Sequence, residues 1–101
     1  VHLIYRAEDR VGRFAGTSRL GLAVSEDGIS FSREPAPVLY PDRDAHQAQE
    51  WEGGCEDPRV VELPDKTYLL TYTAYDGRVA RLMVATSPDL RSWTKHGLAF
   101  R

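Results

Sequence analysis

Residues 18–33 and residues 80–95 are two versions of one pattern, set 62 positions apart. Ser18-Arg19-Leu20-Gly21-Leu22-Ala23-Val24-Ser25-Glu26-Asp27-Gly28-Ile29-Ser30-Phe31-Ser32-Arg33 lies over Ala80-Arg81-Leu82-Met83-Val84-Ala85-Thr86-Ser87-Pro88-Asp89-Leu90-Arg91-Ser92-Trp93-Thr94-Lys95. Arg, Leu, Ala, two Ser and Asp coincide, and Leu/Val, Phe/Trp, Ser/Thr and Arg/Lys are conservative. Upstream, Leu3-Ile4-Tyr5-Arg6-Ala7 resembles Leu70-Thr71-Tyr72-Thr73-Ala74, with a shorter loop in the second copy. Each copy reads as an apolar strand, a polar loop, a second apolar strand, a Ser-x-Asp turn and a short strand near an aromatic residue. A repeat of this size cannot bury its faces alone and must stack on its neighbours.

Between the copies, Arg59–Leu63 is turned by Pro64-Asp65-Lys66 into Thr67–Thr73. Tyr75-Asp76-Gly77 supplies the next turn before Val79–Thr86. The product is an antiparallel four-stranded meander, and no segment shows a helical period. The expected fold class is all-β, a β-propeller whose blades pack face to face. The expected division is one domain, with blade one about 1–33, a connecting loop 34–52, and the acid motif with blade two about 53–101. Phe31 and Trp93, matched at the ends of the repeats, are expected to pack between blades. The chain opens without Met and stops at Phe100-Arg101 without a closing element, so it reads as a piece of a longer protein.

With 42% hydrophobic and 28% charged residues, the 101-residue chain has globular composition. A net charge of -2 argues against nucleic acid or an anionic membrane as the main partner. No apolar run reaches the length of a membrane span, and the start lacks the features of a signal peptide, which makes the cytoplasm the default location. Cys55 is the single cysteine and has Glu50, Glu52, Glu56 and Asp57 around it. No disulfide is available, and a buried, inert thiol is expected. His46 and Glu50 have the spacing of helical metal ligands but no third ligand nearby, so they read as solvated loop residues and no metal is assigned.

Chemistry concentrates in Gly53-Gly54-Cys55-Glu56-Asp57-Pro58-Arg59. The glycines allow positive φ and close approach of a ligand, and Pro58 is expected to push Asp57 into an extended conformation. Arg59 would then stand on the same side as Asp57, lowering its pKa or holding an anion beside it. A turn-initiating Asp-Pro with Arg59 as a surface ion-pair partner is the other reading. Arg19 and Arg81 occupy one repeat position and could both face a central funnel, suiting a phosphate or carboxylate. The alternative is that each pairs with a local acid such as Glu8, Asp9 or Asp76. Glycosidases ordinarily use two carboxylates. A phosphate nucleophile needs charge neutralisation and aim rather than a base, so one acid with arginines points to phosphorolysis.

Ile4-Tyr5-Arg6-Ala7, Ser18-Arg19-Leu20-Gly21-Leu22-Ala23, Gly53-Gly54-Cys55-Glu56-Asp57-Pro58-Arg59-Val60, Thr71-Tyr72-Thr73 and the segment from Ala80-Arg81-Leu82 to Lys95-His96-Gly97 together resemble glycoside hydrolase family 130. The likeness spans nearly the whole chain and is greatest to the branch acting on 4-O-β-mannosyl-glucose. It implies a five-bladed β-propeller, of which the chain covers roughly the first one to two blades. The implied reaction is inverting phosphorolysis of mannosyl-glucose to α-mannose 1-phosphate and glucose, with inorganic phosphate as co-substrate and no other cofactor. By the same resemblance Asp57 aligns with the sole catalytic acid, passing its proton through the mannose 3-hydroxyl. Arg19 and Arg81 resemble arginines of the phosphate and mannose subsites, Arg59 orients the acid, and Glu56 is structural. The implied partners are a small oligosaccharide and phosphate, with homo-oligomerisation of the full-length protein left open and the isolated chain inactive. A β-mannoside hydrolase of the same fold and a non-catalytic carbohydrate-binding propeller remain as alternatives.

Overall fold

A computed structural model of the chain describes residues 1–8 and 16–100. In chain order its elements are β1 (His2–Glu8), β2 (Ser18–Val24), β3 (Ser32–Arg33), α1 (Gln47–Glu50), β4 (Gly54–Glu62), β5 (Tyr68–Tyr75), β6 (Ala80–Ser87) and β7 (Thr94–Leu98). Strands β1 to β3 pair antiparallel, with Arg6 opposite Leu20 and Ala23 opposite Arg33. Strands β4 to β7 form an antiparallel meander, with Val60 opposite Leu70, Tyr72 opposite Met83 and Val84 opposite Gly97. The two groups meet where β2 and β4 run parallel, Ser18 opposite Gly54.

Period-two burial explains the second group. Leu70, Tyr72 and Ala74 of β5 and Met83, Ala85 and Ser87 of β6 are buried, while the residues between them are partly exposed or exposed. Strand β2, flanked on both sides, buries nearly every residue. A Cβ on Gly21 would lie 2.4 Å from Cζ of Tyr5, so the tyrosine ring rests directly on that glycine. The core joins Leu20, Leu39, Cys55, Leu70, Tyr72, Ala74, Met83 and Ala85, with Ile4 and Trp93 packed against it. Ile4 and Leu20 belong to the first group and most of the others to the second. The core is therefore the seam between the two strand groups, which the single β2–β4 bridge links into one sheet, and propeller blades bury their faces against one another in this way. Trp93 joins that seam and donates its Nε1–H to the Leu90 carbonyl at 2.9 Å. Phe31 does not join this seam and is 36% exposed in this segment.

The repeated Ser-x-Asp signature forms the same turn twice. Ser25 Oγ accepts the Gly28 N–H at 2.8 Å while Asp27 Oδ1 accepts those of Ile29 and Ser30 at 2.8 and 2.9 Å. Ser87 Oγ likewise accepts the Leu90 N–H at 2.8 Å while Asp89 Oδ1 accepts those of Arg91 and Ser92 at 2.9 and 2.8 Å. Gly28 and Leu90, equivalent in the repeat, both take positive φ, 77° and 69°.

The connection after β3 departs from the solvated loop expected. Its backbone docks on β2, with the Leu20 N–H donating to the Leu39 carbonyl at 2.9 Å, and Leu39 enters the core. It also holds one helical turn, α1, whose last residue Glu50 has no exposure at all. An apolar anchor and a carboxylate with buried partners draw this segment inward despite its polar composition.

Candidate active site

The acid motif begins where the two strand groups touch. A Cβ on Gly54, whose φ is 107°, would stand 2.2 Å from the carbonyl oxygen of Ser18, and one on Gly53 would stand 2.1 Å from Cδ2 of Tyr75. The Ser18 N–H donates to the Gly53 carbonyl at 3.0 Å. What the paired glycines admit is the Ser18 backbone and the Tyr75 ring, where a ligand was expected from the sequence.

Asp57 follows on β4 at an irregularity in the ladder. Glu56 faces Thr73 and Arg59 faces Thr71, so Asp57 and Pro58 together oppose the single residue Tyr72, which makes a β-bulge. Asp57 takes φ 47° there, in the left-handed region that costs an L-residue about 1–2 kcal/mol. The expected extended conformation is therefore corrected: the bulge overrides the proline's preference. It also breaks the two-residue alternation that was to put Arg59 beside Asp57. Both side chains are exposed, and no ion pair joins them among the described residues. Lys66 and Leu90 also take positive φ, but in turns between strands; Asp57 does so inside a strand while displaying a carboxylate to solvent, which is the pattern of a functional position.

The arginines are distributed differently from one another. Arg81 Nη1 lies 3.2 Å from Asp76 Oδ2, the local pairing weighed as its alternative. Backbone N–H groups of Val79 and Arg78, with Arg81, hold the Asp76 carboxyl down to about 2. Arg19 lines an open groove with Tyr5, Glu8, Arg33 and Glu34. Asp9, another acid weighed as a partner, lies outside the described residues. Arg6, which the sequence reading passed over, donates from Nε to Ser18 Oγ at 2.8 Å and reaches Glu8 at 2.6 Å and Glu56 at 3.5 Å. It ties β1 to the acid motif. Its signal was available in the repeat, where Arg6 stands in place of Thr73.

A buried ionic cluster behind β4 was also missed. Glu50 accepts the Tyr72 hydroxyl at Oε2 (2.6 Å) and Lys95 Nζ at Oε1 (2.5 Å). Lys95 donates further to Asp44 Oδ2 and the Tyr40 carbonyl, both at 2.8 Å. Burial works against the Lys95 charge, but the hydrogen bonds to Asp44 and Glu50 outweigh it and raise its pKa. Burial, then the Glu50 carboxylate, push the Cys55 thiol well above its ordinary value, which keeps it protonated. The spacing of His46 and Glu50 did mark a helical turn, but Glu50 binds Tyr72 and Lys95. Among the described residues no group of three or more His, Cys, Asp or Glu side chains could hold a metal ion, and no helix is long and apolar enough to cross a membrane.

Antiparallel strand groups packed around a shared seam are the architecture of β-propeller blades. The family model described as beta-1,4-mannooligosaccharide phosphorylase matches residues 1–101, and the chain belongs to that family, glycoside hydrolase family 130. It is about one to two blades of the family's five-bladed propeller. It is 38% identical to the 1,2-beta-oligomannan phosphorylase of Thermoanaerobacter sp. (strain X514), over 96% of this chain and 33% of that protein. The chain thus spans about a third of that curated relative. A glycosyl hydrolase from Bacteroides ovatus superposes with a TM-score of 0.91 at 52% identity, covering 98% of this chain and 28% of that one. A second solved structure superposes equally well, TM-score 0.91 at 51% identity over 98% of this chain and 28% of its own. Its description states that the GH130 family of mannoside phosphorylases contains glycoside hydrolases that target beta-1,2 mannosidic linkages in Candida mannan.

Proposed function

We propose that the full-length protein cleaves β-mannosidic bonds with inversion, using phosphate as nucleophile and Asp57 as proton donor. The observation that carries this reading is the placement of Asp57, an exposed acid held at positive φ on a bulge. In the reaction a phosphate oxygen bonds to the anomeric carbon as the bond from that carbon to the glycosidic oxygen breaks. The proton of Asp57 passes to the departing oxygen, directly or through a hydroxyl of the same mannose. The products are α-mannose 1-phosphate and the shortened saccharide.

Phosphate needs guanidinium neighbours more than it needs a base. Arg19 and Arg81 fill that role, Arg81 by exchanging Asp76 for the incoming anion, and Arg59 stands across the bulge. Besides inorganic phosphate this chemistry requires no cofactor. The family model and the Thermoanaerobacter relative, both phosphorylases by name, support the choice of nucleophile. Linkage is a finer matter. The family resemblance pointed to mannosyl-glucose and the family model is described by a β-1,4 linkage, whereas the Thermoanaerobacter relative and the second solved structure are described by β-1,2 linkages. β-1,2-Mannobiose is therefore the first substrate to try, with mannosyl-glucose beside it.

The relative at 51% identity favours a second reading, hydrolysis of β-1,2-mannosides, which requires a carboxylate base from outside this segment. The deciding experiment incubates the full-length protein with each disaccharide, with and without phosphate, and assays mannose 1-phosphate and free mannose. Phosphate-dependent release of mannose 1-phosphate is the expected result. Free mannose formed equally well without phosphate would establish the hydrolase, and no product from either sugar would bring forward a binding propeller.

A further inference from the structure

We propose that Tyr72 and Glu50 are positioning residues for Asp57, setting the bulge from which the acid acts through a buried hydroxyl–carboxylate contact. The inference rests on the reading of Asp57 as proton donor.

Tyr72 is the one residue opposite Asp57 and Pro58, so the place where it sits in β5 decides where the extra residue of β4 is inserted. Pro58, which has no N–H to give the ladder, favours a break at this point, and Tyr72 fixes what the break faces. A slip of one residue would turn every side chain of β4 to the other face, Asp57 included. Tyr72 is wholly buried and anchored at its far end, where its hydroxyl donates to Glu50 at 2.6 Å. Glu50 is wholly buried too, and its other oxygen is held by Lys95 of β7. Glu50 thus ties β5, through Tyr72, to β7, through Lys95, while Cys55, two residues before Asp57 on β4, belongs to the same buried core. A left-handed non-glycine residue persists only where its surroundings over-determine it, and this cluster is the surrounding that does so.

A charge-assisted bond inside a low-dielectric seam is stiff, and small displacements of a catalytic acid are expensive in rate. The test is Tyr72→Phe in the full-length protein, which keeps the ring and removes only the anchor. Two substrates are compared, β-1,2-mannobiose and an aryl β-mannoside whose phenolate departs without protonation. The expected result is a fall in kcat of roughly tenfold on mannobiose with KM within about twofold, and a much smaller fall on the aryl mannoside. Glu50→Gln, which leaves one acceptor oxygen for two donors and sets its NH2 against the Lys95 ammonium or the tyrosine hydroxyl, is expected to lose at least as much kcat on mannobiose as Tyr72→Phe, again with the aryl mannoside largely spared; equal losses on both substrates would remove Glu50 from the positioning role. A role confined to stability would lower the thermal midpoint and leave the ratio of the two substrates unchanged, and that outcome overturns the proposal, as does unchanged kcat. Asp57→Asn, assayed in parallel, separates the two claims. If it is inactive on mannobiose while Tyr72→Phe behaves as the parent, only the positioning role falls; if it is fully active, the assignment of Asp57 falls and the positioning role with it.

Discussion

At the scale of single residues, Asp57 carries the account because its backbone is the wrong one for its residue type. Its φ of 47° sits where glycine pays no steric cost, so Asp57→Gly removes strain and the carboxylate together. We expect the full-length Asp57→Gly protein to be more stable by about 1 kcal/mol in denaturant unfolding and to lose its turnover. A less stable variant would mean that the aspartate is held by contacts and carries no net strain. Gly53-Gly54-Cys55-Glu56-Asp57-Pro58-Arg59 singled out this acid as the candidate from the sequence. Its geometry was not legible there. Pro58 argued for an extended residue, and a bulge is a property of two strands, which the order of residues along one of them does not record.

At the scale of elements, the repeat was the most readable feature, because a turn built from Ser-x-Asp is held by its own side chains. Asp27 accepts the N–H groups of Ser30 and Ile29 and the Ser25 hydroxyl, which bring its carboxyl down to about 2; Asp76, held by Val79, Arg78 and Arg81, falls to about 2 as well. Asp89 is lowered by the N–H groups of Ser92 and Arg91. A carboxyl depressed in the folded state stabilises it fully above the unfolded value of 3.8, and that contribution is lost as pH falls toward 2. Denaturation of the full-length protein should therefore steepen between about pH 4 and pH 2, and Asp27→Asn should flatten part of that slope. An unchanged slope in the variant would remove Asp27 from the account. The segment after β3 was the least readable. Prolines and charges made 34–52 look solvated, yet Leu39 and Glu50 are buried by partners on β2, β5 and β7 that lie far away in sequence. Buried pairing of that kind leaves no local periodicity to detect.

At the scale of the whole molecule, two strand groups share one seam and the faces turned away from it stay uncovered. Val61, Leu82 and Leu98 are 56%, 40% and 44% exposed, and β1 and β7 are edge strands. In a propeller such faces are covered by the adjoining blades. The 101-residue chain by itself is therefore expected to associate, with sedimentation showing species larger than a monomer and a thermal transition that moves with concentration. A monomer with a sharp transition independent of concentration would show that one seam suffices for stability. The proposed function belongs to this scale as well: it requires that the blades of the full-length protein hold Asp57, Arg19 and Arg81 around a common axis.

The most direct test of the central claim, that Asp57 delivers the proton, compares Asp57→Asn with the parent protein on two leaving groups. Phosphorolysis of β-1,2-mannobiose expels a poor leaving group and depends on the acid, whereas an activated aryl β-mannoside does not. The account predicts that the variant loses about 10²–10⁴-fold in kcat/KM on mannobiose and far less on the aryl mannoside. Equal losses on both substrates, or no loss on either, would contradict it.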